Sequence, residues 1–210
     1  MLRIAITLAL LSFSVPSGAA SVAVSGGGVA VSGSTPVTRL DDFNRTSENP
    51  LAGNWSTPSG FTAMLLGGGD YVTGTDTTGS FGAVWNADSF AANQFSAVEA
   101  TGTNVGVIVR VNSTACYLFK RTTGGTFQMY KLPAWDKLGD DYTSVSFTDG
   151  QVIRLEATGT STTTLTPIVN GVTLATRTDS SSAITSGGVG IMCESNITSA
   201  QLDDWAGGEL

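Results

Sequence analysis

Short apolar runs separated by turn residues recur along the chain from Thr38 to the C-terminus. Within these runs apolar and polar residues alternate with the period of a β-strand, and no segment has the 3.6-residue period of an amphipathic helix. The clearest case is 165–176, where Asn170-Gly171 separates two alternating runs and suits a type I′ turn. Ser and Thr number 52 and Gly 26 among 210 residues, and these residues favour strands, caps and turns. The sequence therefore predicts an all-β chain.

The pattern predicts thirteen strands, at 40–43, 61–65, 70–72, 82–85, 94–100, 105–111, 116–120, 126–131, 151–157, 163–169, 172–177, 188–193 and 200–205. So many short strands at close spacing are typical of two packed antiparallel sheets.

Charge and residue types exclude several classes of function. The net charge is −7, and the chain has no basic run that could displace counterions from nucleic acid or bind an anionic membrane surface. The chain contains no His, which excludes Ser-His-Asp and Cys-His nucleophile pairs and His-ligated zinc. We therefore expect neither a nucleic-acid partner nor a catalytic imidazole.

The N-terminal residues allow two interpretations. Residues 1–20 have a short positive start, an apolar stretch at 4–15 and a small-residue exit, which is typical of a secretory signal peptide and too short for a membrane span. The same stretch also alternates like a strand, as in a retained arm that docks on another subunit. Residues 21–37 repeat VAVSG and are either a Gly/Ser/Val linker or a short hairpin.

The chain from Thr38 to Leu210 resembles a known family. LDDFNR (40–45), NPLAGNW (49–55), VGVIVRV (105–111), VIRLEATG (152–159), VNGV (169–172), GGVGIM (187–192) and LDDWAGGEL (202–210) are similar to concanavalin A-like lectin/glucanase jelly rolls. The resemblance is strongest to the laminin-G-like modules of bacterial and phage surface proteins. It implies a two-sheet β-sandwich over 38–210, with the LDDF and LDDW segments side by side. Lectins, glycosidases and structural modules all use this fold, so the resemblance leaves function open.

The carboxylates do not follow a hydrolase pattern. Glycosidases of the superfamily present clustered carboxylates from one strand, and no Glu-x-Asp-x-x-Glu occurs here. Glu99 and Glu156 are lone acids on predicted strands, where they can pair with Arg110 or Arg154. We therefore predict that the protein is not an enzyme.

Aromatic residues are the candidates for ligand binding, because sugars stack their C–H faces on Trp and Tyr while polar neighbours bind the hydroxyls. Trp135 lies in the predicted loop WDKLGDD and is the main candidate; a role as a loop anchor is the alternative. The further candidates are Tyr130, Tyr142, Asp136 and Trp85. Trp55 and Trp205 lie inside the scaffold motifs and are predicted to be core residues.

A structural calcium site is possible where the terminal strands meet. Asp42 and Asp204 are its candidate ligands, since calcium takes six to eight oxygen atoms in irregular geometry. The alternative is that one Asp of each pair, Asp41-Asp42 and Asp203-Asp204, alternates outward while the other caps a turn or binds Arg45. No cofactor is expected to be required. Cys116 and Cys193 lie in apolar strands and are expected to be buried thiols, or one disulfide if the chain is exported and the strands are neighbours.

The function predicted from these features is a non-catalytic recognition or adhesion module, extracellular or on the exterior of a virion, whose partner is a glycan or surface polysaccharide. The alternative is a virion structural subunit, a capsid decoration or tail-associated protein, that docks on copies of itself or on a lattice through residues 1–34. A glycoside hydrolase is the third hypothesis.

Overall fold

The computed structural model describes residues 36–68, 70–194 and 200–210. In this part of the chain sixteen strands form two antiparallel sheets, which confirms the predicted all-β sandwich. The strands are β1 (Thr38–Asp41), β2 (Trp55–Ser56), β3 (Met64–Leu66), β4 (Val72–Gly74), β5 (Ser80–Trp85), β6 (Gln94–Thr101), β7 (Val105–Asn112), β8 (Ala115–Arg121), β9 (Phe127–Leu132), β10 (Asp136–Lys137), β11 (Gln151–Thr158), β12 (Thr163–Val169), β13 (Val172–Thr173), β14 (Arg177–Asp179), β15 (Gly188–Glu194) and β16 (Gln201–Glu209). The interpretations of residues 1–20 and 21–34 fall outside the described residues.

The two sheets have simple strand orders. The nine-stranded sheet runs β13-β12-β11-β6-β16-β4-β3, with β1 also paired to β16 and β14 to β12. The seven-stranded sheet runs β10-β9-β8-β7-β15-β5-β2. Asp41 of β1 lies opposite Trp205 of β16, and the pairing continues to Thr38 and Gly208. This register confirms that the LDDF and LDDW segments are neighbours.

None of the described residues forms a helix that is long and apolar enough to cross a bilayer.

Local turn chemistry explains where several strands end. Val169 pairs with Val172, so Asn170 and Gly171 form the two-residue loop, with φ angles of 47° and 78°, as a type I′ turn requires. The strand predicted at 172–177 is in fact interrupted. The Leu174 amide still bonds to the Pro167 carbonyl, but Pro167 has no N–H to return a bond, and pairing resumes only at Arg177 with the register shifted by one residue. The strands β2 and β10 were not predicted, since two residues are too few to show alternation.

A tryptophan cluster, formed by Trp55, Trp85 and Trp205, lies in the core between the sheets. Trp205 stacks on Trp85 with ring centroids 5.2 Å apart and meets Trp55 edge-on at 4.7 Å. All three are nearly inaccessible to solvent, with exposed fractions of 1–6%. The predicted core role of Trp55 and Trp205 is confirmed.

The two cysteines are buried free thiols on opposite faces of the seven-stranded sheet. Cys193 of β15 packs in the core between the sheets, whereas Cys116 of β8 belongs to a cluster on the outer face. Strand β7 lies between their two strands, so a disulfide would need backbone rearrangement. Burial raises the pKa of each thiol to about 12.

We expect neither thiol to react with a disulfide reagent at neutral pH in the folded protein, because the thiolate is the reactive form. Both should react after unfolding in denaturant. Absorbance of the released thiol product, with and without denaturant, measures this. Rapid reaction of one native thiol would show that its strand opens to solvent.

Candidate functional site

The outer face of the seven-stranded sheet carries a second set of buried apolar side chains. Its fully or almost fully buried members, which we call the outer cluster, are Ile108, Cys116, Leu118, Leu132 and Met192. Phe61, Val111 and Tyr130 pack against them. A sheet face directed toward solvent is normally polar. Its burial therefore means that other segments fold over this face.

Two of these segments are the residues around Phe61 and the β9–β10 turn. Phe61 lies so close over β5 that a Cβ at Gly82 would come within 2.7 Å of its ring. From the other side, the β9–β10 turn brings Pro133 and Trp135 to the same cleft as Phe61. We call this the Trp135 cleft; it has a volume of about 80 Å³ and is lined by Gly60, Phe61, Ser80, Thr114, Leu132, Pro133 and Trp135.

Trp135 has an unusual backbone conformation for a bulky residue. Strand β9 ends at Leu132 and β10 begins at Asp136, so the turn comprises residues 133–135 and Trp135 is its last member. Its φ is 59°, in the left-handed region that Gly and Asn adopt readily and that costs other residues about 1–2 kcal/mol. The side chain is nevertheless 39% exposed. An aromatic side chain is thus exposed to solvent at a position where glycine would adopt the same positive φ at lower energetic cost.

Polar side chains adjoin Trp135 on the same face. Its ring meets Tyr130 edge-on, with centroids 5.5 Å apart. The Lys120 Nζ lies 5.5 Å from the centroid of each of these two rings. Lys120 is almost wholly buried, and its Nζ bonds to a carboxylate oxygen of Glu194 at 2.5 Å. The aromatic pair therefore borders an ion pair whose charges are already balanced.

A series of hydrogen-bonded polar side chains, which we call the Gln128–Asp141 chain, begins at Tyr130. Its hydroxyl donates to Gln128 Oε1 at 2.6 Å, and the Gln128 amide donates to both carboxylate oxygens of Asp141. The Lys137 ammonium also binds Asp141. That bond, together with the one from Gln128, lowers the pKa of Asp141. Asp141 is therefore an ionised acceptor at neutral pH.

The structure brings some of the predicted site residues together and not others. Tyr130 and Trp135 are in contact, and Asp136 follows Trp135 as an exposed residue. Tyr142 does not join them: it is 7% exposed in the core between the sheets, and its hydroxyl donates to the Ala175 carbonyl. Trp85 belongs to the tryptophan cluster, and its Nε1 donates to Asp88.

Sequence reasoning missed the other members of this surface: Phe61, Ser80, Thr114, Lys120, Gln128 and Glu194. Strand alternation alone places Lys120 and Gln128 on the face opposite Phe119 and Phe127. That signal could have identified them as outward residues. Strand alternation does not indicate that Glu194 lies across β7 from Lys120, or that Phe61 folds over β5.

The candidate calcium ligands Asp42 and Asp204 line one shallow cleft beside the paired strands β1 and β16. The neighbouring Asp41 is already bound by Arg45 at 2.6 Å and by the Trp55 Nε1 at 2.7 Å, as the alternative interpretation expected for one of these carboxylates. No three metal-binding side chains come together among the described residues. Calcium takes six to eight oxygens, and the carboxylates that line this cleft are Asp41, Asp42 and Asp204. A calcium site there stays a prediction.

Another cleft, of about 520 Å³, is lined by Leu40, Asp41, Asp42, Arg45, Gly53, Asn54 and Trp85. The guanidinium group of Arg45, which lines this cleft, is bonded to Asp41 and Glu48. Its one aromatic side chain, Trp85, is only 6% exposed. This cleft therefore offers neither an open aromatic face nor an unpaired positive charge.

Solved structures similar to this one share its fold at very low sequence identity. A protein with a galectin-like fold from Bacillus subtilis is 11% identical, with a TM-score of 0.52 over 78% of this chain and 94% of its own. The Ca²⁺-bound exoplasmic/lumenal domain of VIP36 is 8% identical, with a TM-score of 0.52 over 82% of this chain and 89% of its own. A prokaryotic β-1,3-1,4-glucanase (lichenase) derived from a mouse hindgut metagenome is 9% identical, with a TM-score of 0.51 over 82% of this chain and 98% of its own.

No protein-family model and no curated protein sequence matches this chain. Likeness at such low identity concerns the fold and carries no function. The strand order, the pairing of the first and last strands and these structural neighbours agree on one architecture. The described part of the chain has a two-sheet antiparallel jelly-roll fold like that of these structures, which is the fold that the sequence resemblance implied.

Proposed function

We propose that this protein is a non-catalytic glycan-binding module whose sugar site is the Trp135 cleft and the polar surface beside it. The observation that carries the proposal is the presentation of Trp135: an accessible indole in a left-handed backbone conformation, beside a cleft. Unfavourable backbone conformations persist where the surroundings hold them, and they cluster at ligand sites. An indole face suits the apolar C–H face of a pyranose ring.

The polar neighbours supply what a sugar needs besides stacking. Asp136 and the Gln128–Asp141 chain present oxygen acceptors near the aromatic pair, and the ammonium of Lys137, opposite Tyr130, is an accessible donor. Sites of this kind combine apolar and aromatic walls with a few placed polar groups. Because the lysine charges are balanced by Glu194 and Asp141, a neutral sugar can bind without leaving a buried charge unpaired.

The lichenase with the same fold makes catalysis the natural competing hypothesis, and carboxylate geometry argues against it. Glu99 lies opposite Val152 on β11, and Glu156 is four residues further along that strand. At about 3.3 Å per residue the two are roughly 13 Å apart along the sheet, more than the ~5–9.5 Å that glycosidase carboxyl pairs span. Glu156 is bound by Arg154 at 2.8 Å. Reducing sugar released from a β-glucan, and abolished by Glu99→Gln or Glu156→Gln, would contradict the proposal.

Trp135→Gly tests the proposal directly. We expect binding to a glycan identified on an array to weaken by about 2 kcal/mol or more, as loss of a central aromatic anchor does. Stability should change by about 1 kcal/mol or less, because relief of the positive φ offsets the lost ring contacts. Binding is measured by titration calorimetry and stability by urea unfolding of the same samples.

Val172→Ala is the matched control, since Val172 is an exposed apolar residue on β13 of the other sheet. It should leave both binding and stability unchanged. If Trp135→Gly instead lowers stability by about 3–5 kcal/mol, as truncation of a core aromatic does, Trp135 is a structural plug and the site lies elsewhere.

The proposal also places the module outside the cell or on the exterior of a virus particle, where glycans are presented. Residues 1–20 would then be a cleaved leader or a docking arm, 21–37 a linker or hairpin, and 38–210 the binding domain. Intact-mass measurement of the protein from its native source decides between the first two. A mature chain that begins near Ser21 supports a leader, and one that begins at Met1 or Leu2 supports an arm.

A further inference from the structure

We propose that the Trp135 cleft holds the acetamido group of an N-acetylated sugar whose ring stacks on Trp135. This inference rests on the proposed function and specifies its ligand. The cleft lies beside the exposed indole, so a group projecting from a stacked ring can enter it.

The size of the cleft suits a substituent and not a whole sugar. Its volume is about 80 Å³, and a single water needs roughly 10–15 Å³ measured with a water-sized probe. The cleft therefore accommodates a group of a few heavy atoms. The ring itself would remain outside, on the face of Trp135.

The lining combines apolar walls with two hydroxyl groups. Phe61, Leu132 and Pro133 supply apolar surface for a methyl group, and Ser80 and Thr114 supply hydroxyls that donate and accept hydrogen bonds. An acetamido group has an apolar methyl, an amide N–H and a carbonyl oxygen, so it matches both parts of the lining. A bare sugar hydroxyl would leave the apolar walls uncovered and would gain nothing from them.

Charge argues against an acidic substituent at this site. The two lysines near the aromatic pair are each bonded to a carboxylate, Lys120 to Glu194 and Lys137 to Asp141. Asp136 adds an exposed negative charge beside Trp135, and the whole chain carries −7. A carboxylate or sulfate on the sugar would meet no unpaired cation among these groups. A neutral acetamido group meets no such penalty.

The experiment compares two oligosaccharides that differ only in this substituent. The β-1,4-linked tetramers of N-acetylglucosamine and of glucose are titrated into the full chain by calorimetry. We expect the acetylated tetramer to bind roughly 10–200-fold more tightly, the range measured for small apolar groups in a fitted pocket. Thr114→Leu, which fills the cleft from its exposed rim, should reduce the preference to about twofold while leaving stacking on Trp135 in place.

Thr178→Leu is the matched control, because Thr178 is an exposed threonine on β14 of the other sheet; it should keep the full preference. Equal binding of both tetramers, lost in Trp135→Gly, would overturn the acetamido inference and leave the glycan site standing. An unchanged preference in Thr114→Leu, with unchanged stability, would also overturn it. Absence of binding to either tetramer and to every glycan on an array would overturn the proposed function itself.

Discussion

Replacing Trp205 with alanine is expected to lower the free energy of unfolding by about 3–5 kcal/mol, as truncation of large buried aromatic side chains does. Trp205 is 1% exposed and packs against the rings of both Trp55 and Trp85. Its Nε1 donates to the Ser96 hydroxyl at 3.0 Å, and that hydroxyl donates to the Gly190 carbonyl of the other sheet at 2.6 Å. The substitution therefore opens a cavity and removes the donor of a buried hydrogen bond.

Urea unfolding followed by circular dichroism measures this effect. Because the free energy of unfolding of a domain is only about 5–15 kcal/mol, the variant should unfold at a much lower urea concentration than the wild type. Trp135→Gly serves as the comparison, since it removes an indole from the surface and should change stability by about 1 kcal/mol or less. Equal losses in the two variants would contradict the assignment of Trp205 to the core and Trp135 to the binding surface.

Replacing Arg110 with methionine is expected to cost about 3 kcal/mol, because the Ala92 and Gly159 carbonyls lose their guanidinium donor and the Ile184 carbonyl keeps only the Thr163 hydroxyl. Arg110 is fully buried in β7, with a φ of 52° where the β7–β8 register shifts. Its guanidinium donates to the carbonyls of Ala92, Gly159 and Ile184 at 2.6–3.2 Å. It also donates to the Thr163 hydroxyl. One side chain thus connects three loops to the sheets.

Arg110→Lys distinguishes hydrogen bonding from charge. Lysine keeps the charge but has three donors on a single nitrogen and no planar fork, so it should recover little of the lost stability. Burial lowers the pKa of Arg110, which shows that its environment does not favour the charge as such. Arg154→Met, at a half-buried arginine paired with Glu156 on the outer face, should cost about 1 kcal/mol or less. Full recovery of stability in Arg110→Lys would overturn the hydrogen-bond explanation.

Local sequence determined the architecture of this protein. Alternation of period two places residues on one face or the other of each strand, and it predicted most strands of both sheets. Asn170-Gly171 specified a tight hairpin, because those residues tolerate a positive φ. The absence of a Glu-x-Asp-x-x-Glu strand argued against a hydrolase. These features depend on neighbours along the chain, so they can be read without coordinates.

Tertiary structure alone decided which outward residues meet. Tyr142 and Trp85 have polar neighbours in the sequence, as exposed aromatic residues do, but packing between the sheets buries both side chains. Lys120 and Glu194 are far apart in the chain and become partners only because β8 and β15 flank β7. Phe61 reaches the Trp135 cleft because its segment folds over β5. Strand periodicity specifies the face of the sheet on which a side chain lies. Strand order and the path of loops over that face depend on the packing of the whole chain. The proposed binding surface is formed by that strand order and those loops, so periodicity alone does not predict it.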